Sequence, residues 1–147
     1  MNYQESVDFI HGIDRFGSKP GLRRIQQLLE RMGNPQQHLR FIHVAGTNGK
    51  GSTCTMVSRT LTRAGYRIQV DGEMIDPQDL AESTTLVKAH WDDLNREGDT
   101  PSEFETLVAV AFDYFLRRQV DVVVLEVGMG GRFDATNVIG TPLVSVI

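Results

Sequence analysis

A second cysteine is missing from this chain of 147 residues, so Cys54 has no internal partner and no disulfide can brace the fold. An excess of positive charge is missing too. The formal net charge is −4, and the basic residues are scattered apart from pairs such as Arg23-Arg24 and Arg117-Arg118, which read as solvated helix faces. That distribution argues against nucleic acid as a partner. The sequence also lacks repeats, charge runs, low-complexity stretches and any apolar run of membrane-spanning length. Its start, Met1-Asn-Tyr-Gln-Glu-Ser6, lacks the basic-then-apolar layout of a signal peptide. The expectation is a cytoplasmic chain with no membrane partner. With 40% hydrophobic and 23% charged residues, the composition suits one ordinary globular domain, and two domains in this length would be strained.

Glycine, by contrast, is placed with purpose. His43-Val-Ala-Gly-Thr-Asn-Gly-Lys-Gly-Ser-Thr53 follows an apolar strand and opens a helix. Three glycines let the backbone approach an anion, successive N–H groups and the helix N-terminus supply partial positive charge, and Lys50 adds a full one. A nucleotide triphosphate is the expected ligand. The spacing is a variant of the common phosphate loop. The pattern G-x-x-x-x-G-K-[ST] asks for glycine where Val44 stands, and Gly51 pushes the hydroxyl of Ser52 one place on. The bland alternative is a tight strand-to-helix turn that binds nothing.

Around this loop the periodicities predict alternating helices and strands. Residues 3–11, with Val7, Phe9 and Ile10, form a short helix, and 12–21 form a loop. A second helix starts at Leu22, carries Ile25, Leu28, Leu29 and Met32, and stops at Gly33-Asn34-Pro35. Phe41–Ala45 reads as a buried parallel strand. The helix after the glycine loop runs from Lys50 to Arg63, burying Met56, Val57 and Leu61, with Cys54 as a small buried side chain on the sheet. His43 reads as a hydrogen-bonded core histidine. Asp71-Gly72, inside the alternating residues 68–75, signals a small hairpin. Pro77 opens a helix through Leu80, Leu86, Val87 and Trp91, expected on the surface.

Thr100 as N-cap, Pro101 at the first helical position and Glu103 at the third predict the next helix start. Its stripe of Phe104, Leu107, Val108, Ala111, Phe112, Phe115 and Leu116 reads as core. A strand over 120–127 carries Glu126 at its carboxyl end, beside Gly128-Met-Gly-Gly-Arg132, and 143–147 forms a third strand. The fold class is therefore α/β, a phosphate-loop nucleotide-binding domain with a mostly parallel sheet flanked by helices. Ligands in such sheets lie beyond the strands' carboxyl ends. A carboxylate there, next to the phosphate loop, is placed as a magnesium ligand or a group that orients water, and Glu126 is the candidate.

His43 to Thr53, Leu125-Glu-Val-Gly-Met-Gly-Gly-Arg-Phe-Asp-Ala-Thr-Asn137 and Pro142-Leu-Val-Ser-Val-Ile147 closely resemble folylpolyglutamate synthase and dihydrofolate synthase, of the Mur ligase superfamily. Ser18-Lys-Pro-Gly-Leu22 and Ser102-Glu-Phe-Glu105 extend the match. The resemblance implies that residues 1–147 are a single, partial Mur-ligase-like ATPase domain, without the carboxyl-terminal glutamate-binding domain. It implies ATP and Mg2+ as cofactors, and folate or dihydropteroate with L-glutamate as substrates. Thr47, Asn48, Gly49, Lys50, Gly51 and Ser52 would hold the phosphates. Lys50 would neutralise charge as the γ-phosphoryl moves, and Glu126 would bind the metal. Gly21, Leu22, Ser102, Phe133 and Asp134 would line the pterin side. A monomer is favoured.

The sequence departs from the family after the post-loop helix. A Thr/Ser-Ser-Pro-His segment, whose serine is a magnesium ligand, follows the post-loop helix in family members. Here Arg67-Ile68-Gln69-Val70-Asp71-Gly72-Glu73 follows Gly65-Tyr66 directly. Either the segment is deleted or the sequence joins across a stretch left out. Two other readings stand beside the synthase: a different Mur-type amino-acid ligase, and a nucleotide-binding module or fragment that does not turn over.

Overall fold

The computed structural model describes residues 1–13, 21–68 and 74–147. The expected turn at Asp71-Gly72 lies outside them, as do Ser18-Lys-Pro20. Among the described residues three strands form the sheet: β1 (Phe41–Val44) in the centre, β2 (Val123–Glu126) on one side and β3 (Val144–Val146) on the other. Both pairings are parallel, with Phe41 opposite Val123 and Ile42 opposite Val144, so all three strands end at one edge. Ile68 adds a parallel bridge to Val122, which brings the chain back to the sheet beside β2.

Alternation along the strands divides the core in two. Phe41 and Val123 face the larger cluster, built with Ile25, Leu28, Leu29, Val87, Leu94, Val108 and Phe112 from the helices α2 (Arg23–Arg31), α4 (Pro77–Arg96) and α5 (Glu103–Arg117). Val44, Val122 and Val124 face the other way, toward Cys54, Val57 and Leu61 of α3 (Lys50–Arg63). The short α1 (Tyr3–His11) packs on α4 and α5, its start fixed by an Asn2/Glu5 capping box.

Three expectations need correction. The helix α4 is not a surface helix, because α1, α2 and α5 all pack on it. Val87 and Leu94 are fully buried while Leu86 points outward. Its buried Ser83 is tolerated because the hydroxyl donates to Asp113 Oδ2 at 2.6 Å. The cap of α5 is Ser102, two residues later than expected. Its Oγ accepts from Glu105 N–H at 3.3 Å, and the Glu105 carboxylate accepts from Ser102 N–H at 2.7 Å. Ahead of that cap, the Pro101 carbonyl accepts from Trp91 Nε1–H at 3.0 Å. On α3 the buried residue is Ser58. Met56 is exposed, and Val57 and Leu61 are half-buried against the small second cluster.

Candidate nucleotide site at the carboxyl edge of the sheet

The chain leaves β1 through Ala45 and turns into α3 by backbone angles that favour glycine, φ 129° at Gly46 and 77° at Gly49. Gly49 is the N-cap of α3 and makes no side-chain cap, so the first N–H groups of the helix face the loop without one. Thr47, Asn48, Gly49, Gly51 and Ser52 are exposed. Lys50 folds back and donates from Nζ to the Gly46 carbonyl at 2.9 Å, which holds a full positive charge over the loop. Such an arrangement binds an oxyanion through N–H groups, helix dipole and ammonium together.

Glu126 ends β2 opposite Val44 and shares its face of the sheet, so its carboxylate reaches α3. A methyl group placed on Gly51 would lie 3.7 Å from Glu126 Oε2. Phosphate loop and strand-end carboxylate are therefore neighbours, as their positions in sequence predict. Among the described residues no cluster of three or more His, Cys, Asp or Glu could hold a metal unaided. An exposed single carboxylate beside a phosphate cradle still fits magnesium, which keeps several waters and takes one or two carboxylates plus phosphate oxygens. Cys54 is half-buried here. Burial pushes its thiol upward and the Glu126 charge adds to that, which favours the neutral thiol.

The second glycine loop follows Glu126 directly, with Gly130 at φ 73°. Asp134 braces it from a buried position: Oδ2 accepts from Met129 N–H at 2.7 Å, and Oδ1 accepts from Thr136 N–H at 3.0 Å and from the Thr136 hydroxyl. It thus caps the 3-10 turn Ala135–Val138. His43, on β1, meets the same threonine, with Nε2 2.9 Å from Thr136 Oγ1. Burial pushes the imidazole below its ordinary value, and the Asp134 charge opposes part of that shift. His43 is hydrogen-bonded as expected, but it is half-buried rather than a core residue.

The residues expected on the pterin side fall in two groups, Gly21, Leu22 and Ser102 at the starts of α2 and α5, and Phe133 and Asp134 after the second glycine loop. Gly21, at φ 146°, and Leu22 lead into α2, and Leu22 packs on the main core. Arg24 Nε, two residues on, bonds Glu105 Oε2 at 3.1 Å, which joins the start of α2 to the Ser102 cap of α5. Phe133 is 61% exposed, with the Arg132 guanidinium 5.5 Å from its ring centre. The helical stripe assigned Phe104 to the core, yet it is 38% exposed and its ring covers Gly128 so closely that an added methyl would come within 2.6 Å of Cζ. Its place in the first turn of α5 was the available signal for this role, since that end of the helix meets the second glycine loop.

No family model matches the chain. Individual proteins do. A dihydrofolate synthase/folylpolyglutamate synthase of Bacillus subtilis is 42% identical over 99% of the chain and 37% of its own length. A folylpolyglutamate synthase of Lacticaseibacillus casei is 41% identical over 100% of the chain and 38% of its own length. Among solved structures, folylpolyglutamate synthase from Thermotoga maritima superposes with a TM-score of 0.90 at 37% identity, covering 99% of this chain and 37% of that one. The chain belongs to the folylpolyglutamate/dihydrofolate synthase family.

It corresponds to the amino-terminal portion of these synthases and spans under two fifths of the length of the relatives named. A folylpolyglutamate synthase solved with AMPPCP and folate matches equally well, with a TM-score of 0.90 at 40% identity over 99% of this chain and 39% of that one. The alignment to the Bacillus synthase runs over 162 positions, more than the 147 residues of this chain, so at least 15 positions there have no counterpart here.

Proposed function

We propose that these residues form the ATP side of a cytoplasmic, ATP-dependent ligase that joins L-glutamate to folate, to dihydropteroate or to both through an acyl phosphate. The observation that carries this reading is the meeting of the Lys50 loop with the Glu126 carboxylate at one edge of a parallel sheet. Relatives named as synthases and a matching complex with an ATP analogue and folate support it.

In this reading the triphosphate displaces the Gly46 carbonyl as the partner of Lys50. Thr47 to Ser52 present N–H groups and hydroxyls to its oxygens. Lys50 then neutralises charge that spreads over the γ-phosphoryl as it moves to the acceptor carboxylate, and phosphoryl transfer depends mainly on such positioning and charge. Glu126 would hold magnesium, which supplies charge neutralisation across the phosphates when bound. The acceptor would lie along Phe104 and Phe133 at the second glycine loop.

The test is ATP-dependent incorporation of labelled glutamate by the full-length protein, offered folate and dihydropteroate. Incorporation into either supports the reading, and failure with every folate and pteroate contradicts it. A second reading, a module that binds nucleotide without turnover, is favoured by the alignment positions that this chain lacks. Nucleotide binding without incorporation distinguishes the two.

A further inference from the structure

The hydrogen bonds around Thr136 leave little freedom in where its proton sits. Asp134 is a carboxylate and only accepts, and its Oδ1 takes both the N–H and the hydroxyl of Thr136. The single hydroxyl proton is therefore committed to Asp134. Thr136 Oγ1 must act as acceptor toward His43 Nε2, 2.9 Å away, and the imidazole must carry its proton on Nε2. The other oxygen of Asp134 takes the Met129 N–H at 2.7 Å. One unbroken line of donors thus runs from β1, three residues ahead of Gly46, through the buried threonine and aspartate to the backbone of the second glycine loop.

We propose that Thr136 is a positioning residue: by accepting from His43 and donating to Asp134 it locks the aspartate onto Met129 N–H, and so fixes the second glycine loop relative to the strand that feeds the phosphate loop. Both carboxylate oxygens of Asp134 are engaged inside the protein, and the side chain is 5% exposed. These bonds hold the loop, and the rings of Phe104 and Phe133 lie exposed at its edge. Gly128 and Met129 sit between these parts, because Phe104 and Asp134 both press on the space a side chain at 128 would need. The significance for an acceptor rests on the ligase reading, whereas the clasp does not.

The test needs neither nucleotide nor folate. In the 147-residue chain at neutral pH, nitrogen-15 shifts of His43 are expected to report the Nε2-protonated neutral imidazole. Thr136→Val, which keeps the shape and removes the hydroxyl, is expected to speed amide exchange at Met129 on the order of tenfold, the loss expected for a hydrogen bond to a charged group. Thr136→Ser is expected to restore slow exchange, which a packing role for the methyl would not do. A proton on Nδ1 in the unmodified chain overturns the proposal even if the valine variant fails to fold, and so does unchanged Met129 exchange in a folded Thr136→Val. Absence of ligase activity in the full-length protein would count against the ligase reading and leave the clasp standing.

Discussion

Lys50 donates to the Gly46 carbonyl at 2.9 Å, so an incoming phosphate replaces a neutral acceptor with an anionic one, and the exchange favours binding. His43 carries a testable consequence of its own. Its imidazole is held below the ordinary value near 6.5 mainly by burial, so the unfolded chain binds more protons than the folded one as pH falls through that value. Stability contributed by neutral His43 is therefore present above about pH 6.5 and is lost on acidification below it. Urea midpoints at pH 7.5 and 5.5 are expected to fall further for the unmodified chain than for His43→Gln. Equal falls would remove His43 from the account. Residues of the phosphate loop were legible in the sequence because glycine spacing states backbone geometry directly, and Glu126 because a strand's end is visible as the end of an apolar run. The partnership of His43 with Thr136 was not legible. It joins residues 93 apart, and nothing local to either names the other.

Helices were read well as elements and less well as surfaces. Bounds of α3 at Lys50 and Arg63 were fixed by the glycines and by Ala64-Gly65, whereas the face it buries depends on what the sheet offers. The case of α4 is instructive. Ser83 looks like part of a solvated face, yet it is buried because α5 brings Asp113 and Arg117 to its hydroxyl. Periodicity counts apolar residues, and it cannot see a polar residue made compatible with burial by a partner 30 residues away. Leu94→Ala is expected to cost about 2–5 kcal/mol, as for other fully buried leucines, and Leu86→Ala less than about 0.5 kcal/mol. Urea denaturation of the two variants measures this, and similar costs would contradict the packing described for α4.

For the molecule as a whole, a parallel sheet of three strands brings two distant glycine loops to one edge, and the function argued here follows from that meeting. Order along the chain was enough to predict it, because parallel strands joined by helices must all end on the same side. What order could not supply was the second layer of contacts at that edge: Phe104 over Gly128 and the clasp on Met129. The central claim, that nucleotide binds between the Lys50 loop and Glu126, is tested most directly by calorimetric titration of the chain with AMPPCP, with and without magnesium. Expected results are binding that magnesium strengthens, an affinity lowered by at least about tenfold in Lys50→Ala, and loss of the magnesium effect in Glu126→Gln. Affinity undiminished in Lys50→Ala, or a magnesium effect that survives Glu126→Gln, would place the ligand or the metal elsewhere and contradict the account.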